Sequence, residues 1–303
     1  MPKPGPLPIP GHPAHFSVRQ ALAAGATRRR LRAADLQAPF WGIRSTPTQT
    51  LTALDRCTAF MLRMPQDAVY SHVTAAQVYG MPLPRRHEDG PLHVGTPGNR
   101  RPVRAVGVIG HRLQLRQGDC ARVRRLPVTS PERTWLDLGA LLSLRDLVAA
   151  GDQLVRRAAP LTTIADLGRA FDDYSGRRGV RMLRAALPLL DEGSESARES
   201  WLRVMLIEAG FPRFETNQNV FDASGNFVAR VDLLNRRYRV ALEYEGDQHR
   251  ADRRQWQRDV GRLRAVQATG LRVIRVTADD LYDPTALFTE LGSYLPAPGD
   301  EPR

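Results

Sequence analysis

Arg239-Val240-Ala241-Leu242-Glu243-Tyr244-Glu245-Gly246-Asp247-Gln248-His249 is the stretch on which the reading of the fold turns. Its apolar and β-branched residues predict a strand over 239–245, closed by Gly246. A period of two puts Glu243 and Glu245 on one face of that strand, with Val240 and Leu242 alternating around Ala241. Two carboxylates on one face of a core strand are costly unless something positive binds them. Mg²⁺ is the natural answer, because it takes hard oxygen ligands and keeps several waters. Such an ion polarises a phosphate and helps generate hydroxide from bound water.

Working outward, residues 194–209 predict an amphipathic helix, with Trp201, Leu202, Met205 and Leu206 on its buried side and Glu199 near its start. Phe211-Pro212 ends it. A strand follows over 216–221, then the turn formers Asp222-Ala223-Ser224-Gly225. The next strand, 227–234, carries Asp232 near its end, and Asn235-Arg236-Arg237 turns the chain into the opening stretch. Beyond that stretch come a basic helix over 253–269, an apolar strand over 271–276 and a last helix from about 280. Helix, three-stranded meander, helix and strand make an α/β sandwich. In the basic helix, Arg254, Arg258 and Arg262 recur every four residues and share a face. That face is either a phosphate-tracking ridge or a solvated surface offset by Asp252 and Asp259.

Glu199, Asp232 and the Glu243-to-His249 motif together resemble the DUF559 branch of the PD-(D/E)xK nuclease superfamily, which is similar to the very-short-patch-repair endonucleases. The resemblance covers 194–281 and includes Asp259-Val260-Gly261-Arg262 before Gly270-Leu271-Arg272-Val273-Ile274-Arg275-Val276. It implies Asp232 as the central metal ligand, Glu243 as a second ligand and Glu199 as an accessory acid on the metal. It also implies Gln218 as a polar strand residue near the site and His249 as general base or phosphate contact. The superfamily lysine position is filled by Glu245. A glutamate supplies no positive charge there, although it can hold metal or accept a proton. The implied cofactor is Mg²⁺, with Mn²⁺ able to substitute.

Nearer the N-terminus, Ser17 and Thr27 are placed to cap two short helices, 18–24 and 28–34, separated by Gly25. Helix, glycine turn and helix form a helix-turn-helix pattern. The second helix carries Arg28, Arg29, Arg30 and Arg32, and Phe40-Trp41-Gly42-Ile43-Arg44 reads as the strand of a wing. This arrangement presents the arginines to DNA. Further on, helices are expected over 71–80, 131–138, 144–157, 163–174 and 179–190, and strands at 92–94 and 104–109. With Ser71-His72-Val73-Thr74-Ala75-Ala76 and the stretch from Pro127 to Leu138, this region resembles AbiEi-type antitoxins of type IV toxin–antitoxin systems. That resemblance implies sequence-dependent DNA binding, often autoregulatory. His72, His93, His111 and Asp137 have no spacing that implies a metal or a triad, and they read as structural.

The whole composition agrees with a nucleic-acid partner. The 303 residues carry a formal net charge of +12 and a pI of about 10.7, almost all of the basic excess being arginine. Guanidinium forks bind phosphate, and each neutralised phosphate releases counterions. Cys57 and Cys120 are far apart, with no zinc-finger spacing, and read as free thiols of a reducing cytoplasm. No apolar run of about 18 residues predicts a membrane span, and the proline-rich start lacks the apolar core of a signal peptide.

The expected fold class is α/β (α+β): an N-terminal winged helix-turn-helix, a mixed middle domain and a C-terminal restriction-endonuclease-like α/β sandwich. The expected divisions are a tail over 1–15, the DNA-binding element at 16–45, the middle domain at 46–190, the nuclease-like domain at 194–291 and a tail over 292–303. Function is read as a cytoplasmic, DNA-binding, metal-dependent endonuclease in repair, restriction or phage defence. The alternative is a non-catalytic DNA-binding regulator of the type IV antitoxin kind, with a degenerate nuclease fold. A cognate toxin or a second copy of the chain is a further candidate partner.

Overall fold

The computed structural model describes residues 6–9, 11, 14–46, 51–245 and 253–296, and the side chains of these apart from 253–260. It is a mixed α/β structure that divides into two compact units, Met1–Leu138 and Gly139–Arg303. Among the described residues no helix is long and apolar enough to cross a membrane.

The first unit opens with β1 (His15–Ser17) and α1 (Val18–Ala23). Ser17 starts α1 with a capping box: its hydroxyl accepts from the Gln20 N–H, and the Gln20 side chain accepts from the Ser17 N–H. The second helix expected over 28–34 does not form. Thr27 accepts from the Arg30 N–H as a cap should, but only a 3₁₀ turn follows, Arg30–Arg32. Leu31 alone in that turn is buried, so no apolar stripe anchors a longer helix. Arg28 and Arg32 would stand one helical turn apart as like charges. The strand expected over 40–44 is β2 (Ile43–Ser45), shifted a few residues and paired antiparallel with β1.

After α2 (Ala53–Met61) come β3 (Val69–Tyr70), α3 (His72–Tyr79), β4 (Leu92–Pro97), β5 (Val108–Leu113), β6 (Cys120–Val123), β7 (Leu126–Thr129) and α4 (Pro131–Leu138). The five strands β3–β7 form one sheet in the order β5-β4-β3-β7-β6. The β4–β5 and β3–β7 pairs are parallel and the other two antiparallel. Phe60, Tyr70, Leu92, Val94, Leu126 and Val128 build its core with α2. Gly80 ends α3 in the left-handed conformation at φ 71°, where a side chain would be strained. Gly95 in β4 has no room for a Cβ, which would collide with the Leu113 side chain and touch Ser71 Oγ. That close approach brings β4, β5 and the start of α3 together.

The second unit runs α5 (Leu144–Val155), α6 (Ile164–Asp172), α7 (Val180–Ala186) and α8 (Ala197–Glu208), followed by β8 (Glu215–Phe221), β9 (Phe227–Asn235), β10 (Val240–Tyr244), α9 (Arg253–Ala268), β11 (Arg272–Val276), α10 (Ala278–Tyr282) and α11 (Thr285–Gly292). The division expected at 190–194 falls inside this unit. There, buried Asp152 of α5 accepts from Arg203 Nη2 (2.7 Å) and Ser200 Oγ (2.7 Å) of α8 and from the Asp191 N–H (2.8 Å). Unpairing such a charge by separating the helices would be costly. The sheet order is β11-β10-β9-β8. The three antiparallel strands are the expected meander, and α9 crosses over to bring β11 parallel to β10. Leu202, Met205, Leu233, Val240, Leu242, Leu287 and Leu291 pack one face, joining α8 and α11 to the sheet. Val231, Leu234, Ala241 and Val266 pack the other, joining it to α9.

Candidate functional site

The strand register sets up the site in the second unit. Thr216 and Gln218 of β8 pair with Leu233 and Val231 of β9, so Asn217 lies opposite Asp232. Leu242 of β10 pairs with Leu233, so the next residue, Glu243, lies opposite Asp232 on the other side. Glu243 in turn pairs with Arg275 of β11. Asn217, Asp232, Glu243 and Arg275 therefore form one row across all four strands.

Each acid of this row, and Glu199 of α8 beside it, has a defined partner. Glu199 stands in the first turn of α8, where Ser196 Oγ accepts from its N–H (3.2 Å). Its Oε2 accepts from Asn217 Nδ2 (2.6 Å) and from the Glu195 N–H (2.9 Å). Asp232 Oδ2 accepts from the Tyr244 N–H (2.8 Å). Glu243 Oε2 accepts from Arg262 Nη2 (2.6 Å), and Arg262 Nη1 also donates to the Arg230 carbonyl (3.0 Å). Burial pushes the Asp232 carboxyl above its usual range against the pull of the Tyr244 N–H, and the Glu199 charge adds to the rise. Burial likewise raises Glu243; Arg262 opposes this and Asp232 reinforces it. Asp232 thus feels the charge of Glu199, and Glu243 that of Asp232.

Several expectations change. Glu245 does not share the buried face of Glu243. β10 ends at Tyr244, and Glu245 is exposed, paired to Arg275 Nη1 (2.6 Å). The positive charge that offsets Glu243 is Arg262 of α9, so Arg262 is committed to the acid row rather than to an outward ridge. Gln218 stands apart from the acids: it donates to the Thr216 carbonyl (2.8 Å) and accepts from Arg236 Nη2 (2.9 Å). The neighbouring Asn217 takes the place expected of it, with a backbone φ of 50° that departs from the strand. Asparagine tolerates that region better than most residues, and this was the one signal that marked it. His249 lies outside the described residues, as do the side chains of Arg254 and Arg258.

In the first unit Arg28, Arg29 and Arg32 are exposed on the irregular segment after α1. Arg30 is half-buried and forked onto Asp35 at 2.9 and 2.8 Å. The histidines read as unrelated come together instead. A ring nitrogen of each of His72, His93 and His111 lies within 4.8 Å of the others, and Asp137 Oδ2 is 3.8 Å from His72 Nδ1. Among the described residues this, and not the acid row, is the group of three ligand atoms at that spacing.

No protein-family model matches the chain. It is 28% identical over 247 residues to the uncharacterized protein Rv2248 of Mycobacterium tuberculosis (strain ATCC 25618 / H37Rv), covering 80% of this chain and 86% of that one. The uncharacterized protein MT2308 of strain CDC 1551 / Oshkosh matches with the same identity and coverage. Among solved structures, the RV2827C protein from Mycobacterium tuberculosis aligns with 70% of this chain and 84% of its own at 18% identity, with a TM-score of 0.38.

Proposed function

We propose that the chain is a DNA-binding, Mg²⁺-dependent endonuclease of the PD-(D/E)xK kind, working in the cytoplasm in repair, restriction or defence. The observation that carries this reading is that Asp232 of β9 and Glu243 of β10 lie opposite one another, with Glu199 of α8 near enough for its charge to raise the Asp232 carboxyl. The donor set fits a hard divalent cation: three carboxylates on rigid elements, each with one oxygen anchored by a nitrogen donor. Asp232 and Glu243 would hold Mg²⁺, or Mn²⁺ in its place, with Glu199 beside them. When bound, the ion supplies phosphate polarisation and a more acidic water.

The chain's own residues position the acids. Asn217 and the Glu195 N–H fix Glu199, and the Tyr244 N–H fixes Asp232. Arg262 favours the ionised form of Glu243 that a metal requires. The exposed Arg28, Arg29 and Arg32, within a net charge of +12, supply phosphate-directed affinity. The expected outcome is Mg²⁺-dependent nicking of supercoiled plasmid by the wild type. Asp232→Ala should fall to the level of an EDTA control with DNA affinity unchanged.

A second reading, a non-catalytic DNA-binding regulator of the type IV antitoxin kind, is favoured by one observation. Arg262 and Arg275 already neutralise Glu243 and Glu245, and no lysine stands at the Glu245 position. Such a regulator would engage a cognate toxin or a second copy of the chain. Folded wild type that binds DNA as tightly as Asp232→Ala, yet nicks nothing with Mg²⁺ or Mn²⁺, would decide for the regulator.

A further inference from the structure

We infer that His72, His93 and His111 form a binding site for a Zn²⁺-class transition-metal ion in the first unit, with Asp137 as the carboxylate that orients His72. The site is separate from the acid row in both residues and chemistry. Imidazole nitrogens suit Zn²⁺ and its neighbours, whereas Mg²⁺ prefers oxygen.

Three elements converge to make it. His93 is the second residue of β4, His111 comes from β5 and His72 from the start of α3. The backbones of His93 and His111 are tied down. The His93 N–H donates to Thr74 Oγ1 (2.7 Å), and its carbonyl accepts from the Ser71 N–H (3.1 Å). The His111 carbonyl accepts from Thr96 Oγ1 (3.1 Å). His93 Nδ1 lies 2.9 Å from His111 Nε2, and the His72 and His111 rings are stacked with centroids 3.8 Å apart. Nitrogens around one ion at ~2.0–2.1 Å stand about 3.3 Å from one another. The spacings here straddle that value, so modest ring rotations close the site. One proton is shared between His93 and His111; ligation by both nitrogens needs only its move to the other nitrogen of its ring.

Two independent features point the same way. His72 holds a φ of 48°, a strained conformation that persists when the surroundings over-determine it. Ser71 also gives up the usual role of a helix cap: it makes no side-chain cap bond, and its hydroxyl lies 3.0 Å from His72 Nδ1. In addition, Asp137 Oδ2 is buried without a hydrogen-bond donor, although Oδ1 accepts from Arg133 Nε (2.9 Å). This oxygen stands 3.8 Å from His72 Nδ1, placed to accept the N–H that fixes a metal-bound histidine once the ring turns toward it. His72 and His111 are partly exposed, which leaves a path for the ion.

The test is equilibrium dialysis of the full chain against Zn²⁺ and Co²⁺, in the Asp232→Ala background so that the acid row is silenced. Bound metal is read by elemental analysis and by Co²⁺ ligand-field absorption. The expected result is one ion per chain in the parent and in a His15→Ala control, and loss of at least about 100-fold in affinity in His111→Ala and His93→Ala. Asp137→Asn should lose about 10- to 100-fold. A thermal melt supplies a measurement that no variant's folding can spoil: Zn²⁺ raises the melting temperature of the parent chain. No uptake by the folded parent, or uptake unchanged in both histidine variants, overturns the site.

Discussion

Both units bury a carboxylate beside an arginine where a helix meets a sheet, but solvent treats the two pairs differently. In the first unit Arg133 and Asp137 lie one turn apart on α4, with side chains 8% and 2% exposed. In the second, Arg262 of α9 reaches Glu243 of β10 with its own side chain 43% exposed. A charge stripped of water depends almost wholly on its partner, whereas one that water still reaches does not. The contrast extends to the titrating groups nearby. Around Asp137 burial lowers the histidines and keeps them neutral; around Glu243 burial, with a neighbouring acid's charge added, raises the carboxyls of Asp232 and Glu243.

The largest effect should come from Arg133→Ala. It leaves Asp137 buried with no compensating cation and strips the Gln114 carbonyl and Asp119 of the same guanidinium. Breaking a buried pair of this kind costs about 3–5 kcal/mol. A urea titration followed by circular dichroism should show the midpoint falling over an unchanged slope, the shift multiplied by that slope giving this loss. A loss of less than about 1 kcal/mol would mean that water reaches Asp137 and would erase the contrast between the units.

The next effect is a pH dependence. His93 is lowered to about 4 by burial first, then by His111 and His87. The unfolded chain takes up its proton near pH 6.5 and the native chain does not, so the unfolded state binds more protons and stability falls as pH drops below about 6.5. Asp137 and Asp152, raised to about 6, pull the other way, because the native chain binds their protons first. Comparing wild type with His93→Gln at each pH removes those shared contributions. Between pH 7.5 and 5.5 the wild type should lose about 1 kcal/mol more than the variant. A constant gap would show that His93 titrates as it does in water.

How much of this was legible follows from how local each signal is. The second unit's elements lie within a few residues of their expected places, because alternation, apolar stripes and turn formers are all short-range features. Asp232 and Glu243 were legible because they sit on consecutive strands of a hairpin whose register follows from the alternation. Asn217 was not, since the resemblance pointed to its neighbour Gln218 and nothing along the chain reports the positive φ of Asn217. The histidines were hidden by topology. His93 and His111 meet through a parallel pairing of β4 and β5, and His72 joins them through a helix start with an unusual φ. No spacing along the chain reports such a pairing. The helix expected over 28–34 failed for the opposite reason. Its cap was read correctly, but capping does not replace an apolar stripe, and Arg30 instead folds back onto Asp35.

The smallest effect belongs to Arg262→Ala. Glu243 keeps its place in the row and its proximity to Arg275, and water reaches the space the guanidinium leaves. The cost should be about 0.5–1 kcal/mol, in the range of exposed pairs. It should appear only while Glu243 is ionised, so the gap to wild type closes as pH falls through the titration of that acid. It should also shrink when salt rises from about 0.1 to 1 M, because a half-exposed pair is screened. The Arg133→Ala gap should survive the same salt. If both gaps screen alike, exposure is not what separates the two pairs. If the Arg262 gap is the larger and resists salt, Glu243 is sealed from solvent, and a hydrated ion would have no access to the acid row.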